Sequence, residues 1–324
     1  MSKLVLFDGN AVMHRAYHAL PDLKTRAGEP INAVYGLVSM LLKVIEDLKP
    51  THIAFAFDRK EPTFRTQILE SYQAQRPEMD EELDSQFDKA RETVEAFGIP
   101  IYSKAGFEAD DVIGTIANSV SSSRLPARAG KLGYIQIDSG SQSGMTDGVS
   151  QVLVVTGDRD MLQLVRGKVK LYMPVKGLAD AKEFGKDETI ERMGVPPEQI
   201  VDYKALVGDP SDNYKGVPGI GPKTAIDLLS KYKTLDEIYA HLDEIKESVR
   251  KKLTESKDSA YQSQKLARIV IDVDVDFSLE ETKKWRLDSP EILSLFEQYG
   301  FRTLTKRVKE LGKSIASENQ MSLL

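Results

Sequence analysis

Residues 3–10 read KLVLFDGN, a short apolar run that ends in an acid, a glycine and an asparagine. Apolar runs of this length are typical of strands buried on both faces of a sheet, and the DGN turn ends the run. The run HIAFAF at 52–57 is built in the same way and is followed by Asp58. A further run, QVLVVT at 151–156, is followed by GDRD. These runs predict strands whose carboxyl ends carry acids.

Segments with helical spacing lie between the runs. Apolar residues recur every three or four positions from Ile31 to Leu48, and a helix is predicted from Glu108 through Val120. Ile99–Tyr102 predicts one more short strand. Strands alternating with helices predict an α/β fold, with a mainly parallel central sheet flanked by helices. Functional sites in such sheets form beyond the carboxyl ends of the strands.

The 324 residues suffice for one large domain or two smaller ones. Residues 60 to 95 are mostly polar, which predicts exposed helices rather than core elements. Serine and glycine are abundant in 121–150, so a flexible insertion is predicted there, with a brief strand at Tyr134–Ile137. The predicted organisation is a core domain at 1–186, a largely helical domain at 187–312 and a flexible tail at 313–324.

Composition excludes several classes of protein. There is no cysteine, which excludes disulfides and thiolate zinc sites and suits a reducing cytoplasm. No apolar stretch is long enough for a transmembrane helix, and the N-terminus lacks a signal-peptide layout. The net charge is −6, but setting aside nine of the 50 acidic residues for a metal site leaves 41 against 44 basic ones. Net charge therefore does not exclude a nucleic-acid partner.

Nine acidic residues form the main candidate site. They are Asp8, Asp58, Glu108, Asp110, Asp111, Asp158, Asp160, Asp209 and Asp212. Clustered carboxylates repel one another and need cations or protons to persist. Carboxylates without histidine or cysteine suit hard ions, chiefly Mg²⁺ or Mn²⁺. Two such ions about 4 Å apart can activate water and stabilise the leaving oxygen of a phosphodiester.

A simpler interpretation exists for each acid alone, because aspartate after a strand commonly caps a helix or forms a turn. The capping interpretation does not explain the nine acids together. Asp-x-Asp after a strand, Glu-x-Asp-Asp before a helix and Asp-x-x-Asp in a loop are hard to explain jointly as caps.

The glycine-rich stretch GVPGIGPK at 216–223 resembles a helix-hairpin-helix turn. Its glycines allow the backbone to approach DNA phosphates, and N–H groups at a helix start can bind them. The candidate DNA-binding residues are Gly216, Gly219, Gly221, Lys223 and Thr224. A plain helix–helix connection is the alternative. Tyr72 and Arg76 form an i, i+4 pair that could stack on a base and contact a phosphate, although a solvated helix face is the better interpretation of the pair alone.

Five stretches together resemble a known family: LFDGNAVMHRAYHAL, FAFDRKEPTFR, GFEADDVIGTIA, VVTGDRDMLQLV and LVGDPSDNYKGVPGIGPKTA. They are similar to the 5′-nuclease domain of bacterial DNA polymerase I and to phage 5′-exonucleases and flap endonucleases. The resemblance implies a PIN-like core, a helical arch at about 60–105 and a C-terminal helix–three-turn–helix that grips duplex DNA.

The family activity is 5′-3′ exonuclease and 5′-flap endonuclease action on DNA and RNA primers in replication and repair, leaving 5′-phosphate and 3′-hydroxyl ends. By resemblance, Asp8, Asp58, Glu108 and Asp110 serve one metal, Asp158, Asp160, Asp209 and Asp212 a second, and Asp111 lies near both. Arg65, Tyr72 and Arg76 match arch positions that contact the scissile phosphate and the flipped nucleotide. The turn at 216–223 resembles one that binds K⁺ through backbone carbonyls.

The sequence departs from the family in the arch, which usually reads Tyr-Lys-x-x-Arg but here has Gln73 after Tyr72. Glutamine donates a hydrogen bond without a charge, so slower turnover is expected with metal binding retained. The insertion at 121–150 is a second departure. The chain stops at 324, where a polymerase would continue, so a stand-alone nuclease or a fragment is expected.

The last five residues resemble the peptide by which bacterial replication proteins dock on the sliding clamp. They are Gln320, Met321, Ser322, Leu323 and Leu324. The glutamine would fill a polar site and the leucines an apolar pocket.

The leading hypothesis is a monomeric nuclease that acts on nicked, gapped or branched duplex DNA. A catalytically weak adaptor that binds branched DNA and recruits the clamp is one alternative, which Gln73 favours and nine retained acids oppose. An RNA-directed PIN-type ribonuclease is another, which the turn at 216–223 opposes.

Overall fold

A computed structural model describes residues 2–121, 148–176 and 180–321. Within these residues, six strands form one sheet in the order β3-β2-β1-β4-β5-β6. The strands are β1 (Lys3–Asp8), β2 (His52–Ala56), β3 (Ile101–Tyr102), β4 (Gln151–Val155), β5 (Val169–Lys176) and β6 (Asp180–Phe184). The first five are parallel to their neighbours, and β6 runs antiparallel to β5. The predicted mainly parallel α/β sheet is confirmed.

Two strands at the edge of the sheet have no counterpart in the sequence prediction. Strand β5 contains Pro174, which cannot donate a ladder hydrogen bond and lies where the register shifts against β6. Strand β6 alternates exposed and half-buried residues, ending at buried Phe184. Because neither strand is a continuous apolar run, the pattern that located the central strands does not find them.

Fourteen helices are described. They are α1 (Gly9–Ala19), α2 (Asn32–Leu48), α3 (Phe64–Ile68), α4 (Glu81–Asp84), α5 (Phe87–Ala96), α6 (Ala109–Ser121), α7 (Lys186–Met193), α8 (Ile200–Val207), α9 (Pro222–Tyr232), α10 (Leu235–Ala240), α11 (Glu247–Glu255), α12 (Lys257–Ala267), α13 (Pro290–Tyr299) and α14 (Arg302–Met321). Short 3₁₀ turns occur at Asp160–Leu164, Pro197–Gln199, Leu242–Glu244 and Glu281–Lys283. No described helix is both long and apolar enough to cross a membrane.

Strand β1 shows how the sheet separates two apolar cores. Leu4 and Leu6 point to the core formed with α6, α8 and α9, whereas Val5 and Phe7 point to the core formed with α1, α2 and α5. Successive side chains of a strand point to opposite faces, so a wholly apolar strand requires cover on both sides. Burial on both faces fixes the strand's register and thereby the position of Asp8 at its end.

Two predicted segments differ in the structure. Helix α5 was predicted to be exposed, but Phe87, Ala90 and Val94 are buried against the sheet core because they recur at helical spacing on one side. The flexible tail predicted at 313–324 is helical through Met321, as the end of α14. Most of the insertion predicted at 121–150, including the strand at Tyr134–Ile137, lies outside the described residues.

The loop between α8 and α9 is closed by two glycines in contact. Gly208 and Gly216 have positive φ angles of 78° and 60°, and a Cβ on Gly216 would lie 2.4 Å from the Gly208 nitrogen. Asp209 and Tyr214 exchange backbone hydrogen bonds inside this loop, at 2.8 and 3.1 Å. The tight loop therefore depends on residues without side chains at both its ends, and it presents Asp209 and Asp212.

Candidate active site

Three acids follow neighbouring strands at one edge of the sheet. Asp8 ends β1, Asp58 follows β2, and Asp158 follows β4. Strand β1 lies between β2 and β4, so the three carboxylates meet beyond the strand ends. Asp8 accepts hydrogen bonds from the Ala11 N–H at 2.9 Å and the Thr156 hydroxyl at 2.7 Å.

Helix α6 adds acids from its first turn to this edge. The N–H of Ala109 donates to Asp58 at 2.7 Å, which joins the helix start to the end of β2. Asp110 and Glu108 line the same cavity as Asp8, Asp58 and Asp158, with a volume of about 720 Å³. These five carboxylates, together with Glu61, line the cavity.

Burial and mutual repulsion perturb these groups. Burial raises the pKa of Asp8 to about 7, and the nearby charges of Asp58 and Asp158 add to the effect. Burial likewise raises the pKa of Glu108 to about 7. The pKa of Asp110 is raised well above its usual value by burial and by the charges of Asp8 and Asp158. Such a cluster holds protons unless cations neutralise it.

A second acidic group lies beside the first. Carboxylate oxygens of Asp160, Asp209 and Asp212 lie within 4.8 Å of one another, close enough for one metal ion. Asp158 connects the two groups, since its carboxylate accepts the Asp160 N–H at 2.8 Å. Burial raises the pKa of Asp160 to about 7, with the charge of Asp158 as the next contribution. The loop closed by Gly208 and Gly216 therefore adds its two acids to those after β4.

Asp111 differs from the other predicted ligands. It is fully buried, and its oxygens accept hydrogen bonds from Arg65 at 2.7 and 2.9 Å, the Glu108 N–H at 3.1 Å and the Val270 N–H at 2.9 Å. Its acceptor positions are thus taken by protein donors. These contacts show that Asp111 holds Arg65, and its position near both metals stays a prediction.

Arg65, the predicted phosphate-binding arch residue, is held inside the protein. Only 3% of it is exposed, and besides the Asp111 pair it donates to the carbonyls of Leu266 and Arg268 at 2.9 Å each. Burial opposes its charge, but Asp111 and Glu108 outweigh that effect and raise its pKa. Arg65 consequently ties α3 to the end of α12, and its contact with a phosphate stays a prediction.

The segment from Glu70 to Gln75 forms turns rather than a helix, so the predicted helical pairing of Tyr72 with Arg76 is wrong. Gln73 has a left-handed φ of 58°, and its N–H donates to the Asp212 carbonyl at 3.1 Å. The Arg76 guanidinium donates to the Asp212 carboxylate at 2.5 Å, and the Tyr72 hydroxyl does so at 3.3 Å. These residues converge on Asp212 and, together with Gln73, line the acidic cavity.

Sequence reasoning missed two polar contacts of the site. Lys204 on α8 forms ion pairs with Asp160 at 2.5 Å and with Asp209. Nothing in its sequence neighbourhood distinguishes it from a solvated helix lysine. Asn10 accepts the Asp58 N–H at 2.9 Å and links the turns after β1 and β2. Its place two residues after Asp8 in a strand-end turn was the available signal.

The glycine-rich stretch 216–223 has a buried part and an exposed part. Gly216 is buried, donating to the Ser263 hydroxyl at 3.1 Å and accepting from the Ser259 hydroxyl at 2.7 Å, so it packs the loop rather than facing a ligand. Gly219, Gly221 and Lys223 are exposed at the start of α9. The Gly219 carbonyl accepts from the Lys252 ammonium at 2.8 Å.

The predicted clamp peptide lies beyond what can be described. Residues 322–324 fall outside the described ranges, and Gln320 and Met321 are described only as the last residues of α14.

Comparison with known proteins identifies the family. Residues 3–128 match the model of the 5′-3′ exonuclease N-terminal resolvase-like domain, and residues 195–290 match that of the 5′-3′ exonuclease C-terminal SAM fold. The chain belongs to the 5′-3′ exonuclease family. The resemblance inferred from five sequence stretches is confirmed.

Two relatives illustrate the relationship in sequence. The chain is 38% identical over 310 residues to DNA polymerase I of Caldicellulosiruptor bescii, covering 94% of this chain and 33% of that protein. It is 36% identical over 322 residues to DNA polymerase I of Bacillus subtilis, covering 99% of this chain and 34% of that protein. The chain thus spans about a third of the length of these relatives.

Solved structures share the fold at low identity. A bacteriophage T5 flap endonuclease, in a pseudo-enzyme–product complex with DNA and metal ions, matches with a TM-score of 0.63 and 19% identity over 95% of this chain and 97% of that one. Flap endonuclease-1 from Methanococcus jannaschii matches with a TM-score of 0.56 and 16% identity, over 98% and 94% of the two chains.

Proposed function

We propose that this chain is a divalent-metal-dependent 5′-3′ exonuclease and 5′-flap endonuclease that acts as a monomer on nicked, gapped or branched DNA. RNA primers are included among its substrates. The observation that carries the proposal is that acids from three strand ends and a helix start line one cavity, and that a second group of three acids is joined to them through Asp158. Structural proteins have no evident use for so many buried carboxylates in one place, since each raises the cost of ionising the next.

The donor set fits Mg²⁺ or Mn²⁺. All candidate ligands are carboxylate oxygens, the ligands of hard divalent ions. We assign Asp8, Asp58, Glu108 and Asp110 to one ion and Asp158, Asp160, Asp209 and Asp212 to a second. When bound, the ions would supply an activated water and neutralise charge on the scissile phosphate.

Several residues of the chain can orient the substrate. Arg76 is half exposed at the cavity, so its guanidinium can exchange Asp212 for a phosphate. Gln73 lines the same cavity and can donate a neutral hydrogen bond. The exposed backbone of Gly219 and Gly221, with Lys223 and Thr224 in the first turn of α9, suits phosphates of duplex DNA.

A K⁺ ion and a sliding clamp are two further proposed partners of the chain. A K⁺ ion at 216–223 would bind backbone carbonyls, of which those of Gly216 and Gly219 each accept one hydrogen bond, from Ser259 and Lys252. Docking on a sliding clamp would use Gln320 and the four residues after it. Equal clamp binding by the full chain and by a chain lacking 320–324 would refute the docking proposal.

The test of the function uses a 5′-flap DNA labelled within the flap strand. Cleavage near the junction in Mg²⁺, its loss in EDTA and its loss in the Asp110→Asn/Asp158→Asn variant are expected. Tight, structure-selective binding without cleavage in Mg²⁺ or Mn²⁺ would replace the nuclease with the adaptor hypothesis. Cleavage that persists in the double variant would point to a contaminating nuclease.

A further inference from the structure

Lys204 lies inside the second acidic group. Its side chain is 14% exposed, and its ammonium contacts Asp160 Oδ1 at 2.5 Å and Asp209 Oδ2. These two acids belong to the three whose oxygens lie within 4.8 Å of one another. A buried lysine therefore uses the same carboxylates that we assign to the second divalent ion.

The ammonium and a divalent ion compete for these oxygens. Mg²⁺ binds carboxylate oxygens at about 2.0–2.1 Å and requires near-octahedral geometry. An ammonium hydrogen-bonded to the same oxygens would lie within a few ångströms of that ion, and like charges at such a separation repel strongly in a buried site. In the observed geometry the ammonium occupies Asp160 Oδ1 and Asp209 Oδ2, so an ion at these oxygens requires the ammonium to move away.

The first acidic group has a different set of partners. Asp8 accepts from the Ala11 N–H and the Thr156 hydroxyl, and Asp58 accepts from the Ala109 N–H. These donors are neutral, and the protein cation near this group is Arg65, whose guanidinium lies 3.5 Å from Glu108. The contrast predicts that an ion enters at Asp8 and Asp58 without displacing a cation hydrogen-bonded to them.

We propose that Lys204 is an internal competitor for the second divalent ion, which binds at Asp160 and Asp209 only when the ammonium moves off them. The two subsites then fill in sequence, and the second has the weaker affinity. The proposal rests on the proposed function, because it assumes that the acids bind ions.

Mn²⁺ binding to the full chain without DNA tests the proposal. Titration followed by electron paramagnetic resonance is expected to show a tight and a weak class of site in the wild type. Lys204→Gln should tighten the weak class by about tenfold or more, since a competing charge is removed, and leave the tight class unchanged. Lys204→Arg should keep the weak class, and exposed Lys306→Gln should match the wild type.

A second measurement uses the wild-type chain, so its result does not depend on how a variant folds. Acetylation of Lys204 by acetic anhydride, quantified by peptide mass spectrometry, should rise several-fold in saturating Mn²⁺ while that of Lys306 stays constant. An unchanged weak class in Lys204→Gln, or equal protection of Lys204 with and without Mn²⁺, would overturn the proposal. Absence of Mn²⁺ binding to every form would instead overturn the metal-dependent function itself.

Discussion

The guanidinium of Arg65 is joined to the carboxylate of Asp111 by two hydrogen bonds. It also donates to the backbone carbonyls of Leu266 and Arg268, which lie 201 and 203 residues further along the chain. The pair is 3% and 0% exposed. It connects α3, the first turn of α6 and the chain after α12, and so sets the position of the acids at the start of α6. The pair thus holds the site together.

Replacing Arg65 with methionine should destabilise the fold by about 3–5 kcal/mol, because it leaves the buried Asp111 carboxylate without its counter-charge. Urea denaturation measures the loss. The double variant Arg65→Met/Asp111→Leu should recover much of it, since no unpaired charge then remains. Arg59→Met is the matched control, because Arg59 pairs with Glu61 at the surface, and its change should be within about 1 kcal/mol. Equal effects of Arg65→Met and Arg59→Met would refute this role.

The raised pKa values predict an unusual dependence of stability on pH. Burial raises the pKa values of Asp8, Glu108 and Asp160 to about 7 from ordinary values of 3.8 and 4.5. Between about pH 4 and pH 7 the folded chain therefore binds more protons than the unfolded chain. The stability that these three groups contribute is fully present below about pH 4 and is lost as the pH rises through about 7.

Differential scanning fluorimetry in EDTA should therefore show the melting temperature falling between about pH 5 and 7.5. Saturating Mg²⁺ should flatten or reverse the slope, because the ions replace the protons. Asp8→Asn should make the slope in EDTA shallower. A melting temperature that does not fall over this range in EDTA, or that falls equally with Mg²⁺, would contradict the pKa assignments.

Gln73→Lys should raise the single-turnover rate on a 5′-flap DNA by about tenfold, because an ammonium at the cavity stabilises developing phosphate charge better than a neutral amide. Gln75→Lys adds the same charge to an exposed neighbour that does not line the cavity, and it should have little effect. A rate for Gln73→Lys no higher than that of the wild type would show that the amide does not limit turnover.

Gly216→Ala should destabilise the chain by at least about 2 kcal/mol, since Gly216 has a positive φ and no room for a Cβ. The displaced loop should also weaken metal-dependent cleavage through Asp209 and Asp212. Gly221→Ala is the matched control, because φ is −98° and no atom lies within 4 Å of its added Cβ. Thermal unfolding compares the two. Comparable losses would show that loop closure is not the reason for glycine at 216.

The sequence predicts the strand ends well because their signal is local. Apolar runs covered on both faces identify β1, β2 and β4, and the adjacency of parallel carboxyl ends brings Asp8, Asp58 and Asp158 together. No comparable local signal exists for β5 and β6, where Pro174 and exposed residues interrupt the pattern.

Ion pairs within the site were beyond prediction for a different reason. The contact of Arg76 with Asp212 joins residues 136 positions apart, and that of Arg65 with Asp111 forms only when α3 packs on α6. Which acid receives a protein cation depends on tertiary packing and not on spacing along the chain. The family pattern set Asp111 apart from the two ligand groups but gave no means to predict its pairing with Arg65.

Anomalous diffraction from crystals soaked in Mn²⁺ tests the two-ion centre most directly. Two anomalous peaks about 4 Å apart are predicted, one against Asp8 and Asp58 and the other against Asp160 and Asp209. A single peak elsewhere on the chain, or no peak at these acids in saturating Mn²⁺, would contradict the assignment of the acidic cavity as a metal-dependent nuclease centre.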